Sequence, residues 1–264
     1  MAIPGVKLKR TKLYSIVSEI NAQKYDIYVR LPNGYDDRPA DKKYPTLYIL
    51  NGQWDFGLML SIHGSLNYDG LLPEMILIGI GWTEQETDEE AQKLSMSDYS
   101  AFLVDGQLRG GAEPFLNVLE SEMIPFVERN FSVNDERYIS GSSVAAWFAL
   151  FCAFNKPKLF RKYILSSPIT WFANGFIFYI EDLFFKSGQE LDAYIYISYG
   201  ELEPNKQIKD FVNAVRSRGY AKLQIVDEEI DSVGHAGNKP VGYTKGLRQC
   251  FQRSHDSQPS TSLV

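Results

Sequence analysis

Residues 138–150, YISGSSVAAWFAL, combine an apolar run, a corner of small residues and a second apolar run. The pattern predicts a buried strand that turns directly into a helix, with Ser143 at the corner. Such a corner is a nucleophile elbow, usually G-x-S-x-G, and here residues 141–145 read GSSVA. The Ser143 hydroxyl could attack a carbonyl carbon, and the N–H of Val144 would face the developing oxyanion. The alternative interpretation is an ordinary strand–helix turn in which Ser143 caps the helix.

A serine hydroxyl becomes an effective nucleophile only when a neighbouring base takes its proton. The chain has three histidines, so the candidates are few. His235 lies in the segment DSVGHAGN, between the last predicted strand and the last predicted helix, where folds with such an elbow carry the base. His63 lies on a predicted helix, which favours a surface or packing role, and His255 lies in a polar tail. The sequence therefore predicts His235 as the base.

The base needs an acid that accepts the imidazole N–H and holds its tautomer. Two candidates, Glu201 and Glu203, follow the apolar run AYIYISYG in the segment GELEP. Glu203 is preferred because Pro204 starts the next helix and fixes the exit from the loop, and Glu201 stays the alternative. The resulting order of serine, acid and histidine is that of the α/β-hydrolase fold, and it differs from the orders in chymotrypsin and subtilisin.

A second oxyanion donor is expected after the third predicted strand, in the segment YILNGQWDF at residues 48–56. Gly52 permits a close backbone turn there, and the N–H of Gln53 is the candidate donor. Substrate contacts are predicted at Gly52, Trp54 and Trp171, with Trp82 as a further candidate wall of an acyl or aryl pocket. The alternative is that these aromatic side chains pack in the core, as most do.

The elements that must position these residues follow from the hydrophobic pattern. Two early runs, at residues 13–20 and 24–32, alternate with a period of two and predict an antiparallel hairpin. The later runs PTLYIL, MILIGIG, RYISGS, KYILSS and AYIYISYG are nearly continuous, as in strands buried on both faces of a parallel sheet. We therefore predict an α/β-hydrolase fold, with a mostly parallel central sheet, an antiparallel N-terminal hairpin and helices on both faces. It would form one domain over residues 1–253, followed by a disordered polar tail at 254–264.

A long amphipathic helix is predicted over residues 112–131, with a kink at Pro125. A second amphipathic helix is predicted over residues 204–219, where Pro204 opens the segment and Gly219 closes it. Both helices would cover the sheet.

Composition excludes several classes of protein. Of the 264 residues 44% are hydrophobic, and the net charge of −6 argues against a dedicated nucleic-acid binder. No apolar run is long enough to span a bilayer, and the N-terminus lacks the apolar core of a signal peptide, so a cytoplasmic location without membrane attachment is expected. Cys152 and Cys250 are predicted to be free thiols, and no Cys/His spacing predicts a metal site. The oligomeric state is not predicted.

The chain resembles the putative-esterase family of α/β-hydrolases, which includes enterochelin esterases, feruloyl and acetyl-xylan esterases, and mycolyltransferases. The resemblance extends from about Leu13 to Phe251. Its matching pieces are YPTLYILNGQWDF, PEMILIGI, GGAEPFLNVLESEMIPFVERNF, RYISGSSVAAWFALF, YILSSPITWF, ISYGELEP and GHAG. The GELEP segment is similar to the acidic segment of the siderophore esterases, so the resemblance also implies Glu203 as the acid.

The chain departs from the family pattern at two places. The family elbow usually reads GSSLGG or GHSLGG, whereas Ala145 and Ala146 stand at the glycine positions here. Their methyl groups are expected to narrow the pocket or to shift the elbow. The family's Arg-Asp-Tyr segment reads MSDYS here, with Ser97 in the arginine position, so an oxyanion or substrate contact is expected to be missing.

These observations predict a serine esterase that acts on a small-molecule ester without a metal or organic cofactor. Ser143, His235 and Glu203 would hydrolyse the ester through an acyl-enzyme, and the substrate would be a siderophore-type ester or another aryl or acyl ester. Two alternatives stay open at this point. One is an acyltransferase that uses the same residues, and the other is a catalytically silent binding protein, suggested by the altered elbow.

Overall fold

The structure is a computed structural model, and it describes residues 8–82 and 87–252. Its strands are β1 (Thr11–Val17), β2 (Lys24–Arg30), β3 (Tyr44–Leu50), β4 (Ile76–Gly81), β5 (Phe102–Val104), β6 (Gln107–Arg109), β7 (Val133–Ser142), β8 (Lys162–Ser166), β9 (Ala193–Gly200) and β10 (Leu223–Ile230). Its α-helices are α1 (Gly52–Tyr68), α2 (Asp88–Tyr99), α3 (Ala112–Val118), α4 (Ile124–Asn130), α5 (Val144–Asn155), α6 (Phe172–Lys186), α7 (Lys206–Ser217) and α8 (Lys239–Phe251). The tail predicted at residues 254–264, with His255, lies outside the described residues.

Eight of the strands form one sheet in the order β1-β2-β4-β3-β7-β8-β9-β10, and β5 pairs with β6 in a separate hairpin. Strand β2 runs antiparallel to both β1 and β4, and every other pair in the large sheet is parallel. The predicted fold class is therefore confirmed, including the antiparallel N-terminal strands. The parallel pairing brings the carboxyl ends of β7, β8, β9 and β10 to one edge, where α/β proteins bind their ligands.

Helices cover both faces of the sheet because successive residues of a strand point to opposite faces. Along β3, Leu47 and Ile49 belong to a core cluster that includes residues of α1 and α8. Tyr48 and Leu50 belong to the larger cluster, which includes residues of α3, α5, α6 and α7. Helix α5 lies at the centre of that cluster and is buried from Val144 to Phe154, as its continuous apolar sequence predicts.

The helix predicted over residues 112–131 is divided by a π-helical turn, Leu119–Met123, that ends two residues before Pro125. The N–H of Ile124 bonds to the carbonyl of Leu119, five residues earlier. Pro125 then lies in the first turn of α4. The helix thus continues as α4 directly after the π-helical turn.

A buried polar cluster joins α1 to α8 below the edge where the candidate residues lie. Asp55 is only 1% exposed. Its carboxylate accepts hydrogen bonds from Lys239 Nζ at 2.6 Å and from the Tyr243 hydroxyl at 2.7 Å. Because Gln53 lies in the first turn of α1 and His235 lies just before α8, this cluster connects the two segments that carry these residues.

Candidate active site

The backbone at Ser143 has the geometry of a nucleophile elbow. Strand β7 ends at Ser142, α5 begins at Val144, and Ser143 between them has φ 59° and ψ −121°. Non-glycine residues rarely adopt this region, which costs about 1–3 kcal/mol and is typical of functional sites. The Ser143 side chain makes no capping hydrogen bond to α5, which removes the support for the helix-cap interpretation.

Gly141 allows β7 and α5 to approach each other at the elbow. A Cβ at this position would lie 2.8 Å from the carbonyl carbon of Ala145 and 3.0 Å from the nitrogen of Ala146. These are backbone atoms, which cannot move aside as a flexible side chain can. The close approach of the two segments therefore requires glycine.

Gly141→Ala is expected to lower the free energy of unfolding by about 1–3 kcal/mol, because the added methyl group overpacks a backbone contact. Chemical denaturation would measure the change. The matched control is Gly64→Ala in α1, where a Cβ would meet nothing within 4 Å. That variant is expected to be neutral or more stable by up to about 1 kcal/mol. Equal unfolding midpoints for the two variants would contradict the close approach.

The two alanines that replace the family's glycines do not reach the cavity described below. Ala145 and Ala146 are both fully buried in the larger core cluster. Neither is among the residues that line the cavity beside Ser143. The expected narrowing of the pocket by their methyl groups is therefore wrong, because these methyl groups point into the core.

An acid–base pair lies beside the elbow. His235 Nδ1 lies 2.7 Å from Glu203 Oε2. Because a carboxylate can only accept, the proton of the neutral imidazole is on Nδ1 and the lone pair on Nε2 is free. The other oxygen, Oε1, accepts the N–H of Gly200 at 2.6 Å and the hydroxyl of Ser167 at 2.5 Å. The Glu203 side chain is 7% exposed and that of His235 is 44% exposed, so the acid is buried and the base is accessible to solvent.

The other acidic candidate, Glu201, points elsewhere. Its Oε2 accepts the backbone N–H of Ser232 at 2.8 Å, and the residue is exposed. This hydrogen bond ties the loop after β9 to the loop after β10. The structure thus places Glu203 beside His235, whereas Glu201 connects two neighbouring loops.

Ser143, Glu203 and His235 line one cavity of about 580 Å³. The other lining residues are mostly apolar: Ser167, Pro168, Ile169, Trp171, Pro204, Lys206, Gln207 and Ile208. No hydrogen bond joins Ser143 to His235 within the described residues. Such bonds are often long in unliganded proteins and tighten when substrate binds. The structure therefore places all three side chains around one space that a substrate could occupy.

The two candidate oxyanion donors both lie at helix N-termini. Val144 is the first residue of α5 and Gln53 is the second residue of α1. Amides in the first turn of a helix have no intrahelical acceptor. Within the part of the chain that the structure describes, neither N–H has a hydrogen-bond partner. Both groups are thus free to bind an anion, and their role as an oxyanion hole stays a prediction.

The predicted substrate contacts have different surroundings. Gly52 packs against β4, where a Cβ would lie 2.9 Å from the nitrogen of Ile80, so a glycine is needed there for packing. The Trp54 indole donates to Asp88 at 3.1 Å, and Trp54 is not among the lining residues of the cavity. Trp171 lines the cavity and is 54% exposed. Trp82 is buried and packs against aromatic rings in the core, as the alternative interpretation expects.

His63 lies on α1, outside the residues that line the cavity. Burial lowers the pKa of His63 from 6.5 to about 4, and the positive charge of Arg30 adds to the effect. The side chain is therefore neutral at pH 7, which agrees with the packing role that the sequence favours.

The low pKa of His63 is expected to make folding pH-dependent between pH 6.5 and about 4. In this window the unfolded chain binds a proton that the folded protein does not, so stability falls as the pH falls. The free energy of unfolding can be measured with denaturant at pH 7 and at pH 4.5. Between these pH values it should fall by about 2 kcal/mol less in His63→Gln than in the unmodified protein. Identical losses would contradict a His63 that is neutral in the folded protein.

Three further features of the described residues bear on function. Across 8–82 and 87–252 there is no group of three or more His, Cys, Asp or Glu side chains that could hold a metal ion. No α-helix in these ranges combines the length and the apolar character that crossing a bilayer requires. Cys152 and Cys250 are buried free thiols, as predicted.

A mostly parallel sheet with a strained serine at a strand–helix corner defines the α/β-hydrolase class of protein. A family model described as "Putative esterase" matches residues 18–228, which is most of the chain. The chain therefore belongs to this esterase family, and it is a carboxylic ester hydrolase.

Individual relatives agree with this assignment. The chain is 26% identical to the ferri-bacillibactin esterase BesA of Bacillus subtilis (strain 168), over 99% of this chain and 93% of that protein. Its fold is similar to that of the BES protein from Bacillus cereus, with a TM-score of 0.80, 21% identity and coverage of 96% and 100% of the two chains. It is also similar to the siderophore hydrolase EstB from Aspergillus nidulans, with a TM-score of 0.82, 19% identity and coverage of 94% and 98%. At these identities the two solved structures show the fold alone.

Proposed function

We propose that the protein is a serine esterase in which Ser143, His235 and Glu203 form the catalytic triad. The observation that carries the proposal is the 2.7 Å contact between His235 Nδ1 and Glu203 Oε2. It lies at a cavity that Ser143 also lines, at the carboxyl edge of the sheet. The contact leaves Nε2 of His235 available as a base on the side of the cavity.

In the first half-reaction Ser143 Oγ attacks the ester carbonyl carbon while His235 Nε2 takes the hydroxyl proton. The carbonyl electron pair moves onto oxygen and forms a tetrahedral oxyanion. When the oxyanion collapses, the bond to the alkoxide breaks and His235 returns the proton to the leaving oxygen. The buried carboxylate of Glu203 stabilises the imidazolium throughout. The product of this step is an ester between Ser143 and the acyl group.

In the second half-reaction water replaces the alcohol, and His235 again takes and returns a proton. The carboxylic acid leaves and Ser143 recovers its hydroxyl. The N–H groups of Val144 and Gln53 would bind both oxyanions, and one such donor contributes about 3 kcal/mol to lowering the barrier. No step in this sequence requires a metal ion or an organic cofactor.

The proposed substrate is a small-molecule ester of the siderophore type, or another ester with an aryl or acyl group of similar size. The names of BesA and EstB support this class, since one is a ferri-bacillibactin esterase and the other a siderophore hydrolase. The cavity of about 580 Å³ lies within the range of about 300–1,000 Å³ that is usual for small-molecule sites. Its apolar walls and the half-exposed ring of Trp171 suit an aromatic or aliphatic group.

The test combines covalent labelling with a substrate panel. A fluorophosphonate probe is expected to label the protein, and mass mapping should place the label on the peptide that contains Ser143. A panel of p-nitrophenyl esters and of ferric and metal-free siderophore esters would then define the substrate. Absence of labelling would contradict the proposal and favour a binding protein. Transfer of the acyl group to an added alcohol faster than to water would favour an acyltransferase.

A further inference from the structure

A fully buried amide side chain lies directly behind the acid–base pair. Asn238 is 0% exposed. Its Nδ2 donates to the Ser167 hydroxyl at 2.5 Å and to the backbone carbonyl of His235 at 3.0 Å. Its Oδ1 accepts from the hydroxyls of Ser166 at 2.9 Å and Ser198 at 2.8 Å. The amide thus uses both donors and both acceptor positions, which is the full capacity of an asparagine side chain.

Ser167 connects this amide to the acid. Its hydroxyl accepts from Asn238 and donates to Glu203 Oε1, so the three groups form one directed chain of hydrogen bonds. Ser167 has φ 46°, a left-handed conformation that is uncommon for serine. Its own N–H bonds to the carbonyl of Ser198 at 2.7 Å, which holds the strained residue against β9. Strain of this kind persists where the surroundings determine the conformation.

Close packing around Asn238 leaves little space for another arrangement. A Cβ at Gly242 would overlap the Ser198 hydroxyl and would lie 3.0 Å from Asn238 Oδ1. A Cβ at Gly200 would overlap the backbone carbonyl of Val233, in the loop that carries His235. The ends of β8 and β9 and the start of α8 are therefore packed around one polar group.

We infer that Asn238 and Ser167 are positioning residues that act through His235 and Glu203. The acid and the base come from different loops, after β9 and β10, and each must be placed accurately for proton transfer. Asn238 holds the backbone of the base directly and holds the carboxylate of the acid through Ser167. One rigid amide thus sets the position of both partners relative to the sheet. This inference rests on the triad proposed above.

The Ser167 hydroxyl also has an electrostatic role, because it draws negative charge from the carboxylate of Glu203. Without this hydrogen bond, the carboxylate would hold the imidazolium of His235 more firmly and would itself be protonated more readily. Both effects would leave less of the active form at a given pH. They would therefore move the acidic limb of the pH–rate profile to higher pH.

The test is Ser167→Ala, assayed with p-nitrophenyl esters across a range of pH. We expect kcat to fall by about tenfold to a hundredfold, because the carboxylate of Glu203 loses a hydrogen bond that positions it. KM should change by less than about twofold, because alanine keeps a small side chain at the wall of the cavity that Ser167 lines. The acidic limb of kcat/KM should move to higher pH. A purely structural role would lower the folded fraction without moving this limb. Asn238→Asp, which is isosteric but loses the amide donors, should lower kcat at least as much.

The matched control is Ser140→Ala in β7. Ser140 is 0% exposed, and its hydroxyl has no hydrogen-bond partner within the described residues. Removing it is expected to leave kcat, KM and the pH profile unchanged and stability equal or slightly higher. Circular dichroism and denaturant unfolding would establish that each variant is folded.

A spectroscopic readout makes the test independent of turnover. The His235 Nδ1 proton, bonded to the Glu203 carboxylate, should give a strongly downfield proton NMR resonance that is absent from Glu203→Gln. We expect Ser167→Ala to shift or broaden this resonance and Ser140→Ala to leave it unchanged.

If Ser167→Ala matches Ser140→Ala in kcat, pH profile and resonance, the inference is overturned. Ester hydrolysis that depends on Ser143 would still stand in that case. If the protein hydrolyses no ester, the proposed function fails and the resonance alone decides the positioning role.

Discussion

Ser143→Ala is expected to reduce hydrolysis of p-nitrophenyl esters at least about a thousandfold, because loss of the nucleophile removes both half-reactions. Any residual rate would come from binding and from the oxyanion donors. The loss should lie in kcat, since the methylene group of the side chain remains and the cavity walls do not change. Stopped-assay kinetics at saturating substrate would measure it.

The neighbouring serine provides a matched control for this variant. Ser142 is the last residue of β7, is 8% exposed and does not line the cavity. Ser142→Ala is therefore expected to keep most of the activity, whereas Ser143→Ala loses it. Both variants should unfold at denaturant concentrations close to that of the unmodified protein. Full activity in Ser143→Ala, or a larger loss in Ser142→Ala, would show that the elbow serine is not the nucleophile.

Glu203→Gln is expected to lower kcat by about a thousandfold to ten-thousandfold while the protein stays folded. The glutamine oxygen would keep the hydrogen bonds from Ser167 and Gly200, so its NH₂ group must face His235. A donor at this position forces the imidazole proton from Nδ1 to Nε2, and the base then has no lone pair towards Ser143. The opposite orientation of the glutamine amide is unfavourable, because its NH₂ group would then face the Ser167 hydroxyl and the Gly200 N–H, which are both donors.

Glu201→Gln is the control for this second variant. Glu201 carries the same charge on the same loop, but its carboxylate bonds to the N–H of Ser232. Glu201→Gln therefore removes one negative charge from the same loop without touching the contact to His235. We expect Glu201→Gln to keep kcat within about threefold, since an amide oxygen can accept the same bond and an exposed charge is worth little. Measuring kcat/KM for both variants from pH 5 to pH 9 would compare them, and a greater loss in Glu201→Gln would make Glu201 the acid.

Much of the fold follows from short apolar segments. Strands β3, β4, β7, β8 and β9 are recognisable in the sequence because strands buried on both faces are nearly continuous apolar runs. Helix α2 is mostly polar and carries no such signal. Its start is nevertheless marked by a capping box between Thr87 and Glu90, a local pattern that sequence reasoning can use.

The residues of the candidate site also differ in how readily the sequence predicts them. The elbow at Ser143, the histidine at His235 and the acidic segment GELEP can be found because each follows a predictable strand in a known order. The serine pair at residues 166–167 lies at the carboxyl end of β8, and this place at the edge of the sheet is the signal that could have singled it out. Asn238 gives no such signal, since an asparagine before a helix usually serves as a cap.

The amino-acid sequence by itself determined the α/β architecture and the three segments that meet at one edge of the sheet. Hydrophobic periodicity is a local pattern, and the order of the elements along the chain can be read without knowing their tertiary contacts. Only the tertiary structure brought Glu203, and not Glu201, into contact with His235, placed the elbow alanines in the core and brought Asn238 behind the acid–base pair. These outcomes depend on directions and distances between residues from separate elements. Such distances are set by how the strands and helices pack, and no local pattern contains them.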